Sequence, residues 1–282
     1  MEYKRILTIQ DISCVGQASL TVALPILSAA GHETAILPSA VLSTHSVGFT
    51  DFTFRDLTED MPAVCRHWQK EGISFDAFYT GYLGSGKQID YVLDIVKSCG
   101  REGAVFFADP AMADSGILYP GFDDAFVAKM KELTLEADVL MPNITEAALL
   151  TGSEYLEEYD EAYIRDLMTK LSEDGKARII ALTGVSFEEG KTGVMLWEDG
   201  SFHYHGHDKV DRTCHGTGDV FASAFVGACL NGRSAKEAAG IAADYVLRCI
   251  RDTVDDEEHW YGVKFEIGLP AYIEAVRGQC RP

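Results

Sequence analysis

The feature that most limits what this chain can fold into is an alternation. Short unbroken apolar runs, at 6–9, 34–37, 75–79, 104–108, 137–141, 178–182 and 192–197, are separated by stretches with helical spacing at 16–30, 87–99, 123–135 and 160–171. Strands buried on both faces read as continuous apolar runs rather than as alternating ones. Strands that take turns with helices predict a mostly parallel central sheet with helices on both faces, an α/β fold.

The pattern changes after Trp197. Glu198-Asp199-Gly200-Ser201 is a turn, so 192–197 and 202–207 read as a hairpin. A glycine-bearing loop follows, then two helices at 219–230 and 235–251. The first is apolar nearly all round (Val220, Phe221, Ala222, Ala224, Phe225, Val226), which predicts a buried helix, and Asn231-Gly232 stops it. No repeat or long linker interrupts the chain, so 1–282 reads as a single domain.

Charge narrows the function classes. With 44 acidic against 24 basic residues, the net charge is -20. Such a surface repels nucleic acid and anionic lipid. No apolar stretch reaches the roughly 18 residues of a membrane span, so a cytoplasmic location is expected. The seven cysteines include no C-x-x-C pair, which argues against a disulfide framework or a zinc knuckle.

Ligands of open parallel sheets bind beyond the carboxyl ends of the strands. Those ends carry Gln10-Asp11-Ile12-Ser13, Ser43-Thr44-His45-Ser46, Thr80-Gly81-Tyr82, Asp109-Pro110, Pro142-Asn143-Ile144-Thr145-Glu146 and Thr183-Gly184. Later in the chain Gly216-Thr217-Gly218-Asp219 stands directly before the buried helix. The first N–H groups of a helix lack intrahelical partners and carry a partial positive charge. Glycines let a ligand approach them, so the turn suits a phosphoryl group, and a carboxylate there can accept a hydroxyl proton. The plainer alternative is that an acidic first-turn residue stabilises a helix by roughly 0.3–1 kcal/mol without any chemistry. Likewise Asp109 before proline reads as a turn residue. Asn143-x-x-Glu146 reads as an N-cap with its reciprocal glutamate.

Taken together and in this order, Asp109-Pro110, Pro142-Asn143-x-x-Glu146 and Gly216-Thr217-Gly218-Asp219 resemble the ribokinase superfamily from Ile6 to about Arg251. The resemblance implies an ATP-dependent kinase for a small alcohol, with Asp219 as base. Gly216, Thr217 and Gly218 would form the anion hole. Asn143, Thr183 and Gly184 would contact ATP, and Asp109 and Glu146 would organise Mg²⁺ directly or through water. It also allows a monovalent cation and a homodimer. Lys209 and Arg212 are assigned to the adenine wall.

Within that superfamily, Ile9-Gln10 followed by Gly16, then Ser43-Thr44-His45-Ser46 and Thr80-Gly81-Tyr82, is similar to the pyridoxal kinase family. The absence of any Gly-Gly pair argues against a sugar. The implied acceptor is the 5′-hydroxymethyl group of pyridoxal, pyridoxine or pyridoxamine. Asp11, Ser13 and Ser46 would meet its polar groups, and Tyr82 would pack on its ring. Hydroxymethylpyrimidine kinase is the alternative enzyme on the same fold, and a nucleotide-binding regulatory protein that keeps the fold without catalysis is the alternative of a different class. Cys214 is read as a passive small residue, and His203, His205 and His207 as one solvated strand face. Residues 47–60 are a candidate flap, and Trp260 and Tyr261 are expected to cover an edge or meet a second subunit.

Overall fold

The computed structural model describes residues 3–212 and 214–278. By its contacts the chain divides into two compact units, Met1–Asp60 with Val210–Pro282, and Met61–Lys209.

The first unit opens with β1 (Arg5–Ser13), α1 (Leu20–Ala29), β2 (Glu33–Leu42) and β3 (Phe54–Asp56). β1 pairs with β2 in parallel, and β3 pairs with β2 antiparallel. The sequence ends the second strand at Pro38, yet β2 runs on to Leu42. Pro38 faces Gln10, beside a register irregularity between Gln10 and Ile12, so its missing N–H falls where the ladder is already broken. The first helix also differs from its expected start at Gly16. Gly16, Gln17 and Ser19 hold φ of 125°, 52° and 54°, which no helix permits, and α1 begins only at Leu20. Part of the candidate flap is β3, an edge strand rather than a loop.

The second unit comprises α2 (Met61–Lys70), β4 (Phe75–Thr80), α3 (Gly86–Cys99), β5 (Gly100–Ala108), β6 (Ala113–Asp114), β7 (Ile117–Leu118), α4 (Asp124–Leu135), β8 (Val139–Leu140), α5 (Ile144–Thr151), α6 (Glu161–Asp174), β9 (Ile179–Val185), β10 (Lys191–Glu198) and β11 (Ser201–Asp208). Its strands β4, β5, β8 and β9 are parallel neighbours in that order. The expected hairpin is present as β10 and β11, added antiparallel beyond β9. Ser85, Asp123 and Asp160 each accept a backbone N–H at the start of α3, α4 and α6, which fixes where those helices begin.

The chain then returns to the first unit with α7 (Thr217–Leu230), α8 (Ala235–Thr253) and α9 (Phe265–Arg277). α7 is buried from Val220 to Ala228, as its uncharged sequence predicts. The sequence gives no warning of α9, because Gly268 and Pro270 lie inside it. Gly268 is there for packing: a Cβ would stand 2.7 Å from the Tyr245 ring. Tyr245 stacks on Tyr272 at 4.9 Å, and the Tyr272 hydroxyl donates to Ala224 O at 3.0 Å, tying α9 to α7.

Both units are therefore α/β with mostly parallel strands flanked by helices. The six described cysteines are all unbridged, and Cys280 lies outside the described residues. Among the described residues no helix is long and apolar enough to cross a membrane.

Candidate active site

In the first unit, β1 brings two polar residues to its buried end. Asp11 is 5 % exposed, and its carboxylate accepts from the Ser13 hydroxyl at 3.1 Å. Burial pushes the Asp11 carboxyl up; hydrogen bonds from Ser19 and Ser13, and then the charge of His45, pull it back.

The segment that follows is a turn of unusual geometry. Gln17 and Ser19 adopt positive φ although neither is glycine, which costs on the order of 1–3 kcal/mol each. The turn is clamped from outside. A Cβ on Gly216 would stand 2.5 Å from Gln17 O, and one on Gly262 would stand 2.9 Å from the Gln17 side chain. Gln17 itself donates to Glu266 at 2.8 Å and meets His259 Nε2 at 2.8 Å.

Against this turn stands the start of α7. Gly216 is its N-cap with φ 76°, and no side chain caps the helix. A residue with a side chain would meet both the φ and Gln17 O, so glycine is needed here. Gly218 is different: its φ is ordinary and a Cβ would meet nothing within 4 Å. Space therefore lies open over the first turn, where the N–H groups have no intrahelical partner. Asp219 is half-buried, and its Oδ2 accepts from Ser19 N at 3.0 Å. Among the described residues no other donor reaches this carboxylate. The surrounding protein pushes its pKa up to about 6; the Ser19 N–H opposes that, and the charge of Asp11 adds to it. A group with that pKa is ionised at neutral pH yet basic enough to take a proton.

Other predicted residues of this unit have plainer surroundings. Burial raises the Cys214 thiol, so it stays protonated, in keeping with a passive residue. Ser46 is exposed. The Arg212 guanidinium, assigned to the adenine wall, donates instead to the carbonyls of Thr253, Val254 and Asp256, and so holds the loop after α8. Trp260 packs on Phe49 at 4.6 Å and over Gly48, so it covers the start of the candidate flap. His45, from the Ser43-Thr44-His45-Ser46 segment, is buried, and its Nε2 lies 2.7 Å from Tyr261 O.

In the second unit, Glu146 occupies the third position of α5. Asn143 Oδ1 accepts from Glu146 N, and Glu146 Oε2 accepts from Asn143 N, both at 2.9 Å. Glu146 Oε1 accepts from Met112 N at 3.1 Å. The capping reading left open by the sequence is thus present. Burial raises the Glu146 carboxyl, and these N–H donors oppose the rise. Asp109 closes β5, is 9 % exposed, and its N–H donates to Thr80 O at 2.9 Å. Thr183 N donates to Pro142 O at 3.0 Å, which holds the two strand ends together. Gly184 is exposed with φ 74° and open space above it. Lys209 is exposed, its N–H donating to Gly190 O. Tyr82 stacks on Phe122 at 5.6 Å. The histidine face of β11 forms no metal site: among the described residues no group of three His, Cys, Asp or Glu could hold an ion.

The phosphomethylpyrimidine kinase family model matches residues 54–263. Pyridoxal kinase PdxY of Granulibacter bethesdensis is 26 % identical over 262 residues, 89 % of this chain and 90 % of that protein. The structure of pyridoxal kinase from Lactobacillus plantarum superposes with TM-score 0.90 at 30 % identity, covering 98 % of each chain. That of a phosphomethylpyrimidine kinase homologue from Bacteroides thetaiotaomicron, solved with pyridoxal, gives TM-score 0.91 at 34 % identity and covers 96 % of each chain. The chain belongs to the phosphomethylpyrimidine kinase family, with pyridoxal kinases among its relatives in the ribokinase-like superfamily, and is an ATP-dependent small-molecule kinase.

Proposed function

We propose that this kinase phosphorylates the 5′-hydroxymethyl group of pyridoxal, pyridoxine or pyridoxamine by direct in-line transfer from ATP. The two units serve as one kinase domain. The observation that carries the mechanism is Asp219: one oxygen is held by Ser19 N–H, and the other is left for a hydroxyl proton beside the open first turn of α7. The base takes that proton as the oxygen attacks, and the Thr217, Gly218 and Asp219 amides stabilise the equatorial oxygens of the transferring group. Asp11 and Ser13 recognise polar groups of the acceptor, with Ser46 and Tyr82 as further contacts. In the second unit Asn143, Thr183, Gly184 and Lys209 serve the nucleotide.

Hard carboxylate oxygens suit Mg²⁺, which keeps several waters. Asp109 would hold it, and Glu146 would act through water, because both its oxygens already accept N–H groups. The ion would offset phosphate charge during transfer. Replacing Asp109 with alanine should raise the Mg²⁺ concentration needed for half-maximal rate; unchanged dependence would remove Asp109 from this role.

Hydroxymethylpyrimidine is the second acceptor to weigh, because the matching family is that of phosphomethylpyrimidine kinases. Incubation with Mg-ATP and each B6 vitamer, hydroxymethylpyrimidine or ribose decides between them. Turnover of a vitamer with the highest kcat/KM supports the proposal; turnover of hydroxymethylpyrimidine alone replaces it. Asp219→Asn should lose about 10²–10⁴-fold in kcat with ATP affinity near normal. Survival within a few-fold would return Asp219 to the helix-stabilising role.

A further inference from the structure

Ser19 stands where a serine ordinarily caps a helix, and it does not cap. It is the N-cap of α1, yet its side chain makes no cap hydrogen bond. Both of its polar groups are turned elsewhere. Its N–H donates to Asp219 Oδ2 at 3.0 Å, and its side chain lies near enough to Asp11 to pull that carboxyl's pKa down. The residue is 6 % exposed and holds φ 54°, ψ -125°, a conformation that glycine adopts easily and L residues resist. A buried non-glycine residue persists in such a conformation only where surrounding bonds over-determine it. Here the N–H is fixed on the carboxylate of α7, and the side chain lies toward the carboxylate of β1.

We propose that Ser19 is a positioning residue for phosphoryl transfer: its hydroxyl, turned to Asp11 instead of capping α1, locks the backbone so that its N–H holds Asp219 with one oxygen committed and the other aimed for the acceptor hydroxyl. Asp11 and Asp219 then act as a coupled pair, the charge of one strengthening the other as a base. The titratable groups around this network are Asp11 itself, His45, whose charge acts on Asp11, and His215, whose ring lies 5.9 Å from that of His45. The inference rests on Asp219 being the base.

The test is a pair of substitutions that a packing role and a positioning role order oppositely. Ser19→Gly removes the hydroxyl but accepts φ 54° without strain, so the N–H stays on Asp219. It should keep kcat within about threefold while KM for the acceptor rises, because Asp11 loses a partner. Ser19→Ala removes the hydroxyl and keeps the strain, so the backbone relaxes and the N–H leaves Asp219. It should lose about tenfold or more in kcat, as expected for one hydrogen bond to a charged group, and its acid limb should move up because a bond to the ionised form is gone. Thermal unfolding of both variants checks that they are folded. Ser19→Ala with kcat equal to or above that of Ser19→Gly, or with an unmoved acid limb, overturns the proposal. If Ser19→Ala does not fold, Asp11→Asn decides: the acid limb should move down, and an unmoved limb overturns the coupling. Asp219→Asn separates the two readings. Retained turnover there sinks the base assignment; lost turnover with no difference across the Ser19 series sinks only Ser19.

Discussion

Glu146 in the second unit and Asp219 in the first occupy the same helical position, the third residue after the N-cap, and are used in opposite ways. α5 begins with Asn143, whose side chain caps the helix while Glu146 reaches back to the cap N–H and also accepts from Met112 N. Its carboxylate is consumed by its own surroundings. α7 begins with Gly216, which has no side chain to cap anything, and Asp219 does not reach back. It accepts one N–H, from a strained turn outside the helix. The two carboxylates share a place in the helix and differ in how many N–H groups their oxygens already accept; under the proposed function that difference is what leaves Asp219 able to react.

The sharpest way to break this comparison lies in the two glycines before Asp219. Gly216→Ala should destabilise by about 2–4 kcal/mol and abolish turnover, because a Cβ meets both φ 76° and Gln17 O at 2.5 Å. Gly218→Ala should leave the fold intact, or even stabilise it by up to ~1 kcal/mol as alanine does in helices. Its turnover should still fall about a hundredfold, since the methyl fills the open first turn that the phosphoryl group needs. Unfolding midpoints set beside kcat for both variants give the answer. A fully active Gly218→Ala would mean that the open space is not used.

How much of this was legible in the chain follows the same division. The alternation of apolar runs foretells the sheet, and the apolar sequence after Asp219 foretells a buried α7, because burial acts on composition directly. The capping box at Asn143 and Glu146 was readable because both partners lie in one short segment. Ser19 was not. Its partners are Asp219, far along the chain, and Asp11 on another element, and positive φ at a serine leaves no mark in composition. Pro38 misled for a related reason: proline tells where an N–H is missing, not whether the fold needs that N–H. Arg212 is assigned to the adenine wall by its place in the chain, and only tertiary structure shows its guanidinium on three carbonyls.

A smaller effect tests the other half of the comparison. Glu146→Gln keeps the shape but turns one acceptor oxygen into a donor, facing either Met112 N or Asn143 N. An unsatisfied buried N–H costs about 1–3 kcal/mol, so the urea midpoint should fall accordingly. The acid limb of kcat/KM should stay where it is, because Glu146 titrates no step of the transfer. A shifted limb with unchanged stability would make Glu146 the reactive carboxylate and reverse the contrast.

The smallest effect concerns what Asp219 costs the fold. Its carboxyl, ordinarily near 3.8, is raised to about 6 in the folded protein. Between those values the native state keeps a proton that the unfolded state has released. Stability from this group is thus fully present below pH 3.8, falls as pH rises through about 6, and stays lower above it. Asparagine does not titrate and has no such slope. Asp219→Asn should therefore unfold at a higher temperature than the parent at pH 7.5, by the equivalent of ~1 kcal/mol once solvent around a half-buried carboxylate is allowed for. The gap should close toward pH 4, with turnover lost throughout. Equal stability at both pH values would mean that Asp219 is as well satisfied in its helix as Glu146 is in its own, and the two carboxylates would then differ in position alone.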